Sequence, residues 1–189
     1  INPEVSGLDI DTILPQFQSF LLLYDWLVIF HSVNFSRQIT PFILPFPDAY
    51  IDEVLIPDFQ PDMNEFISHY IKANPTLNRP LDLIPLFEHI NKDLVTDKID
   101  TTKTTGRPTF HYRLPNSNVQ NPDWSYLDEW NAWTLVEKLA ANNEMFSQLQ
   151  EFYINEYKNS LLTTKSDWVQ KVDEVLNEKI ETEDWRHRT

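Results

Sequence analysis

The sequence contains no cysteine and only two glycines, Gly7 and Gly106. The absence of cysteine excludes disulfides, thiolate nucleophiles and cysteine zinc sites, and it fits a reducing compartment. We therefore expect a cytoplasmic protein. Two isolated glycines also exclude the glycine-rich phosphate-binding loops that many nucleotide-binding proteins use. If the chain binds a nucleotide, other side chains and a metal have to hold it.

Basic residues are scarce as well, because 15 Lys and Arg oppose 29 Asp and Glu and give a net charge of −14. Such a surface repels phosphate backbones, and the basic residues are scattered, so we do not expect nucleic acid as a partner. The most apolar run, residues 20–30, is shorter than the ~20 residues that a membrane helix needs, and Asp25 interrupts it. This run predicts a buried helix and no membrane partner.

Apolar residues make up 41% of the 189-residue chain and aromatic residues 13%, enough for one folded unit with a real core. All thirteen prolines lie at or before Pro122, so more than half of 122–189 is expected to be helical. Either Asp9 or Asp11 can cap the first helix. The predicted class is α+β and mostly helical, with helices at 16–33, 48–55, 62–73, 81–90, 129–141, 143–158 and 166–180, and with a polar loop at 91–105.

Residues 109–114 form the clearest predicted strand. Polar and apolar residues alternate along it, so Thr109, His111 and Arg113 are expected on one face and the three apolar residues on the other. At roughly 3.3 Å per residue, alternate side chains lie about 6.6 Å apart. A hydroxyl, an imidazole and a guanidinium in a row suit an anion or a metal-bound phosphate. We predict that His111 and Arg113 project into one concave site.

Arginine is rare, and three of the six arginines, Arg79, Arg107 and Arg113, lie on this strand or in turns next to proline. A guanidinium is a planar, permanently charged fork that binds carboxylates and phosphates well, so the pattern favours anion binding. The alternative is that each arginine pairs with one of the many acidic residues of the chain. His111 is likewise either an ordinary polar side chain of the strand or a ligand next to Arg113.

Other polar and aromatic residues have simpler interpretations. His31, at the carboxyl end of the first predicted helix, suits the helix dipole. Asp82 can pair with Arg79 at a helix start, and Trp130 and Trp133 are expected to pack in the core rather than to stack on a substrate. The acidic residues of the last predicted helix are expected to form a solvated face.

Three segments, in this order along the chain, resemble the signature of the amidoligase family, a branch of the glutamine synthetase and glutamate-cysteine ligase superfamily. The strand segment is Arg107-Pro-Thr-Phe-His-Tyr-Arg-Leu-Pro-Asn116, the segment before it is Asn74-Pro-Thr-Leu-Asn-Arg-Pro-Leu-Asp-Leu-Ile-Pro-Leu-Phe87, and the one after it is Trp130-Asn-Ala-Trp-Thr-Leu-Val-Glu-Lys-Leu-Ala140. The resemblance covers about 1–161 and looks like the carboxyl-terminal part of the family's domain. It implies a glutamine synthetase-like antiparallel sheet with packed helices, and 162–189 is expected to form an acidic closing helix and tail.

The resemblance implies an ATP-dependent ligase that uses ATP and Mg²⁺. A carboxylate of a small molecule or peptide is phosphorylated, and an amine attacks the acyl phosphate to form an amide. In the superfamily, a late strand carries a Glu-x-Arg pair in which Glu binds a divalent metal and Arg contacts phosphate. His111 and Arg113 resemble that pair with His in place of Glu. Because imidazole is a poorer ligand for Mg²⁺ than carboxylate is, His111 is a candidate for metal binding or for a hydrogen bond to phosphate.

The same resemblance assigns roles to the remaining candidates. Arg107 joins Arg113 in neutralising the transferring phosphoryl group. Arg79 is expected to clamp a carboxylate or phosphate, and Asn78 and Asn116 are expected to orient the arginines.

One departure from the family pattern bears on activity. The acidic metal ligands of the superfamily lie on early strands that this sequence does not show, so we expect the chain to be inactive unless another chain or segment supplies them. The alternative function is a non-catalytic helical interaction module or one half of a split ligase, which the acidic closing helix favours.

Overall fold

The computed structural model describes residues 1–116 and 118–179, and it is mostly helical, as predicted. A 3₁₀ turn spans Pro41–Ile43 and a π-helical turn spans Tyr153–Tyr157. Two short strands, Leu81–Asp82 (β1) and His111–Tyr112 (β2), pair antiparallel. The described residues also form the α-helices Ile10–Phe30 (α1), Phe35–Gln38 (α2), Asp48–Val54 (α3), Met63–Ala73 (α4), Ile84–Ile90 (α5), Lys92–Thr96 (α6), Tyr126–Ala140 (α7), Asn143–Phe152 (α8) and Lys165–Lys179 (α9).

The chain divides into two compact units. The first unit contains residues 1–14 and 33–115, and the second contains residues 15–32 and the described residues from Asn116 onward. The boundary falls within α1, after Leu14. Both strands belong to the first unit, which is therefore the unit that positions the predicted site residues.

Helix α1 begins at Ile10, six residues earlier than predicted. Pro15, which was expected to precede the helix, lies inside it. Asp9 caps it by accepting hydrogen bonds from the backbone and hydroxyl of Thr12 at 2.8 and 3.1 Å. Among the described helices, α1 alone is long and apolar enough to cross a membrane, and 67% of its 18-residue window is buried. The prediction of a buried helix is confirmed. The argument that its apolar run is too short to cross a membrane is wrong, because the helix has 21 residues.

The core of the first unit is built on aromatic side chains from α3, α4 and α5. Phe87 makes edge contacts with Phe66 and Tyr70, with ring centroids 5.4 and 5.3 Å apart. Tyr70 also donates a hydrogen bond to the Leu81 carbonyl at 3.2 Å, which ties β1 to α4. Burial raises the pKa of Tyr70 well above its usual value, and the nearby Asp82 carboxylate adds to this effect.

The strand at 109–114 shows the predicted alternation, although only His111–Tyr112 pairs with β1. Its three apolar residues, Phe110, Tyr112 and Leu114, are completely buried, and the polar residues between them are partly exposed. On the edge away from β1, residues 1–5 run antiparallel to it. There Tyr112 donates to the Ile1 carbonyl at 3.0 Å, and Phe110 donates to the Pro3 carbonyl at 2.9 Å.

Three local predictions in the first unit are wrong. The helix predicted at 81–90 begins only at Ile84, because Leu81–Asp82 is in a strand and the Asp82 side chain accepts from the Ile84 amide at 3.0 Å. The loop predicted at 91–105 contains α6, whose first turn the Asn91 side chain caps. No helix was predicted at 35–38, where the structure has α2. The helices predicted at 48–55 and 62–73 are confirmed.

The second unit contains α7, α8, α9 and the part of α1 that follows Leu14. More than half of 122–189 is helical, as predicted. Trp133 and Trp168 are buried. The predicted packing in the core is therefore confirmed for Trp133 and wrong for Trp130, which is 37% exposed. The helix predicted at 143–158 changes to a π-helical turn after Phe152.

The acidic face predicted on the last helix is not entirely solvated. Asp173 accepts a hydrogen bond from the Trp26 indole at 3.2 Å, which joins α9 to α1. Lys165 reinforces this junction with an ion pair to Asp25 at 2.6 Å. Glu174 and Glu178 of the same face are exposed, as predicted, and its acidic residues at 181–184 lie outside the described residues.

Candidate anion-binding site

A polar cavity of about 380 Å³ opens in the first unit. It contains three of the predicted site residues, Arg107, His111 and Arg113. The prediction that His111 and Arg113 share one strand face and open into a concave site is therefore confirmed. The full lining is Leu77, Asp82, Thr102, Lys103, Thr104, Thr105, Arg107, His111 and Arg113.

Asp82 is the carboxylate of this lining. One of its oxygens, Oδ2, lies 3.0 Å from Nη2 of Arg113 and 3.7 Å from Nδ1 of His111. The other oxygen accepts the hydrogen bond from the Ile84 amide described above. Strand pairing places Asp82 opposite His111, which explains why these side chains meet. The predicted pairing of Asp82 with Arg79 is wrong, because Asp82 pairs with Arg113 instead.

Arg113 is held on both its backbone and its side chain. Its amide donates to the Pro80 carbonyl at 2.8 Å, and Nη2 donates to the Leu77 carbonyl, also at 2.8 Å. The guanidinium of Arg37 donates to the carbonyls of Arg113 and Leu114 at 3.0 and 3.2 Å and fixes the strand end. These contacts set the direction in which the Arg113 side chain enters the cavity.

Arg107 reaches the cavity from the turn before the strand. Its amide donates to the Pro85 carbonyl at 2.9 Å, so the turn lies against the start of α5. At Gly106, a Cβ atom would lie 2.9 Å from the His89 amide nitrogen, so this close approach requires glycine. Among the described residues the Arg107 side chain has no hydrogen bond or ion pair, and its buried Nε is unsatisfied. The charge of Arg107 is thus not balanced by a described carboxylate.

The other predicted binding residues are not part of this lining. The Arg79 guanidinium donates to the Pro45 carbonyl at 2.6 Å and lies over the Phe46 ring, 5.5 Å from its centroid. Burial lowers the pKa of Arg79. Asn78 directly precedes Arg79, and its backbone amide donates to the Thr76 hydroxyl. Asn116 belongs to the second unit, where its side chain donates to the His31 carbonyl.

Two features were missed from the sequence. The first is the segment 102–105, which was expected to be only a loop but lines the cavity. Four threonines around Lys103, immediately before Gly106, are the sequence signal that could have identified it. His31 is not simply a helix-end residue, because it is buried and its Nδ1 contacts the equally buried Glu129 carboxylate. Trp124 donates to the other Glu129 oxygen at 2.9 Å.

The lining does not fit a Mg²⁺ site. This ion prefers several oxygen ligands in octahedral geometry. The cavity offers one carboxylate, Asp82, whose two oxygens already face Ile84, His111 and Arg113. Within 1–116 and 118–179, no group of three His, Cys, Asp or Glu residues could hold a metal ion. The role of metal ligand predicted for His111 thus lacks a supporting ligand set.

Comparison with known protein families identifies the family of the chain. The sequence model of the family described as "Putative amidoligase enzyme" matches residues 1–135, which include every residue of the cavity lining. The match ends earlier than the expected limit of residue 161. No curated protein and no solved structure matches the chain.

Proposed function

Since the chain belongs to the amidoligase family, we propose that it serves ATP-dependent ligation of a carboxylate to an amine through an acyl phosphate. The observation that supports this proposal is the convergence of Arg107, His111 and Arg113 in one cavity. In this proposal the cavity binds the phosphate or carboxylate group of a reactant. The chain is then the carboxyl-terminal part of a glutamine synthetase-like domain.

The two arginines have different roles in this proposal. Phosphoryl transfer needs preorganised positive charge where negative charge develops. Arg107 supplies a guanidinium that no described carboxylate balances. Arg113 supplies a second one whose direction is fixed by Asp82 and by the Leu77 carbonyl. His111 can donate a hydrogen bond to the same anion from the ring edge that faces away from Asp82.

The cavity does not supply a magnesium site, so the proposal assigns binding and orientation of the anion to this chain. Carboxylate ligands for Mg²⁺ then come from another chain or segment. We expect this 189-residue chain to bind the anion without turnover, because its cavity holds the anion but binds the metal poorly.

Calorimetry with ATP, together with a phosphate-release assay, tests the proposal. We expect ATP to bind, Arg107→Gln and Arg113→Gln each to weaken binding about tenfold or more, and no phosphate to be released. Lys92→Gln is the matched control, because it removes one positive charge from an exposed position on α6 outside the cavity. ATP affinity that neither arginine variant changes would refute the proposed site. Failure of ATP to bind at all would favour a non-catalytic interaction module.

A further inference from the structure

We infer that two copies of this chain associate through an exposed apolar surface formed by Phe35, Ile39, Phe42 and Leu44, which we call the 35–44 surface. These residues lie on or next to α2 and the 3₁₀ turn that follows it in the first unit. The inference goes beyond the proposed function and does not depend on it, because these four described residues are not part of the cavity lining.

The 35–44 surface is large enough to form the core of an interface. The exposed fractions are 75% for Phe35, 65% for Ile39, 58% for Phe42 and 43% for Leu44. At ~150–200 Å² for a fully exposed side chain of this size, they amount to roughly 400 Å² of apolar surface. Patches of this size often mark interaction sites. A stable interface takes about 800 Å² from each partner, so these four side chains can supply its apolar core and the polar surface around them its rim.

The backbone that carries these side chains is held in place. Arg37 anchors α2 to the end of the strand at 109–114 through the two hydrogen bonds described above. The Gln38 side chain donates to the Val33 carbonyl at 2.7 Å, and the Thr40 hydroxyl donates to the Arg37 carbonyl, also at 2.7 Å. Because the segment is already ordered, little conformational entropy is lost when a partner binds to it.

The distribution of acidic residues favours a second copy as the partner. Asp and Glu number 29 among the 189 residues, yet residues 26–47 contain none of them. In a two-fold dimer the same surface lies on both sides of the interface, so an acidic surface would face its own charges. A chain with a net charge of −14 repels its copies over most of its surface. The acid-free 35–44 surface avoids this local repulsion and adds apolar burial.

A membrane fits the 35–44 surface less well than a second copy does. Surfaces that bind membranes usually combine apolar side chains with lysines or arginines that attract anionic lipids. Arg37 is the single Lys or Arg among residues 26–47, and its guanidinium donates to backbone carbonyls. The net charge of −14 also opposes binding to an anionic bilayer.

Analytical ultracentrifugation of the 189-residue chain tests the inference. Between ~1 and ~200 µM we expect the mean mass to rise from the 22.4 kDa of one chain toward twice that value. Phe42→Asp should weaken dimerisation about tenfold or more, because it removes apolar contact and places like charges in the interface. Leu161→Asp is the matched control, since Leu161 is fully exposed in the second unit and the substitution adds the same charge. It should change dimerisation by less than about twofold.

Salt distinguishes this apolar interface from one that ion pairs hold together. Added salt screens the repulsion between two acidic chains. We therefore expect dimerisation to strengthen, by about twofold or more, when NaCl is raised from ~50 to ~500 mM. An interface built on ion pairs would weaken instead, and that result would overturn the inference.

A chain that remains monomeric at ~200 µM would also overturn the inference, as would equal weakening by Phe42→Asp and Leu161→Asp. Monomers that bind to phosphatidylcholine vesicles would identify a membrane as the partner of the surface instead. Circular dichroism checks that each variant is folded. Ile39→Asp, at a second exposed position of the surface, carries the same expectation as Phe42→Asp and replaces it if that variant does not fold.

Discussion

Arg113 and Asp82 form an asymmetric ion pair. Their charged atoms are 3.0 Å apart, but 22% of the Arg113 side chain is exposed, compared with 2% of the Asp82 side chain. The exposed partner can contact a ligand, while the buried partner depends on the pair to compensate its desolvation. Loss of the arginine is therefore expected to affect stability as well as binding.

Comparing Arg113→Ala with Arg107→Ala tests this asymmetry. Removing Arg113 leaves a buried carboxylate with fewer partners, and we expect a loss of about 1–3 kcal/mol in the free energy of unfolding. Arg107 has no described side-chain partner, so Arg107→Ala is expected to change stability by less than about 0.5 kcal/mol. Urea denaturation measures both values. Equal losses would show that Arg113 does not compensate Asp82.

A methyl group at Gly106 is expected to disturb the turn that positions Arg107. The added Cβ would lie 2.9 Å from the His89 nitrogen and 3.1 Å from the Glu88 carbonyl carbon, and these backbone atoms cannot move easily. We expect Gly106→Ala to cost about 1–3 kcal/mol and to weaken anion binding.

Gly7→Ala is the matched control for this substitution. There the nearest atoms are the side-chain oxygens of Asp9 and Thr12, whose shift disturbs part of the α1 cap but moves no backbone atom. Its effect on stability should be smaller, and its effect on anion binding absent. Thermal denaturation and calorimetry of the two variants check both expectations, and a larger loss in Gly7→Ala would contradict them.

Tyr24 links stability to alkaline pH. Burial, with a smaller contribution from Asp25, raises its pKa from 10.0 to about 12. Because the folded pKa is the higher one, the stabilisation is complete below pH 10 and is lost as pH rises toward 12. The loss amounts to about 2–3 kcal/mol in the free energy of unfolding.

Tyr24→Phe should therefore make the decline in stability between pH 10 and 12 less steep, as measured by urea denaturation at several pH values. Tyr126→Phe, at a residue that is 52% exposed, is the control and should leave the decline unchanged. An identical decline in wild type and Tyr24→Phe would exclude Tyr24 as its source.

Two His–Glu pairs differ in burial and should differ in energy. His31 and Glu129 are almost completely buried in the second unit, whereas Glu53, which pairs with His69 at 2.9 Å, is 59% exposed. Glu129→Gln breaks a buried pair, and we expect a loss of about 3–5 kcal/mol. Glu53→Gln breaks a solvated pair, and the expected loss is below about 1 kcal/mol. Chemical denaturation distinguishes these outcomes, and similar losses would contradict the effect of burial.

Local patterns in the sequence predicted most of the helices and one face of the site. The alternation at 109–114 and the helix at 62–73 are predicted from neighbouring residues, and both are present in the structure. Helix α1 begins earlier than predicted. Burial of its apolar residues outweighs the unfavourable helix propensity of Pro15.

Contacts between distant residues could not be predicted in the same way. Asp82 lies 31 positions from Arg113, and only the pairing of β1 with β2 brings the two together. The same holds for His31 and Glu129, whose contact depends on the packing of α1 against α7. Arg79 has the side chain expected of an anion clamp, but backbone carbonyls at 44 and 45 compete successfully for its guanidinium.

The pairing of residues 1–5 with the strand at 108–112 has a consequence for which side chains face the ligand. Hydrogen bonds to Ile1 and Pro3 on one edge and to β1 on the other fix the register of this strand. A slip of one residue would turn His111 and Arg113 toward the core and bring Phe110 and Tyr112 into the cavity. The chemical character of the cavity is thus set by backbone pairing with a segment that contributes no side chain to its lining.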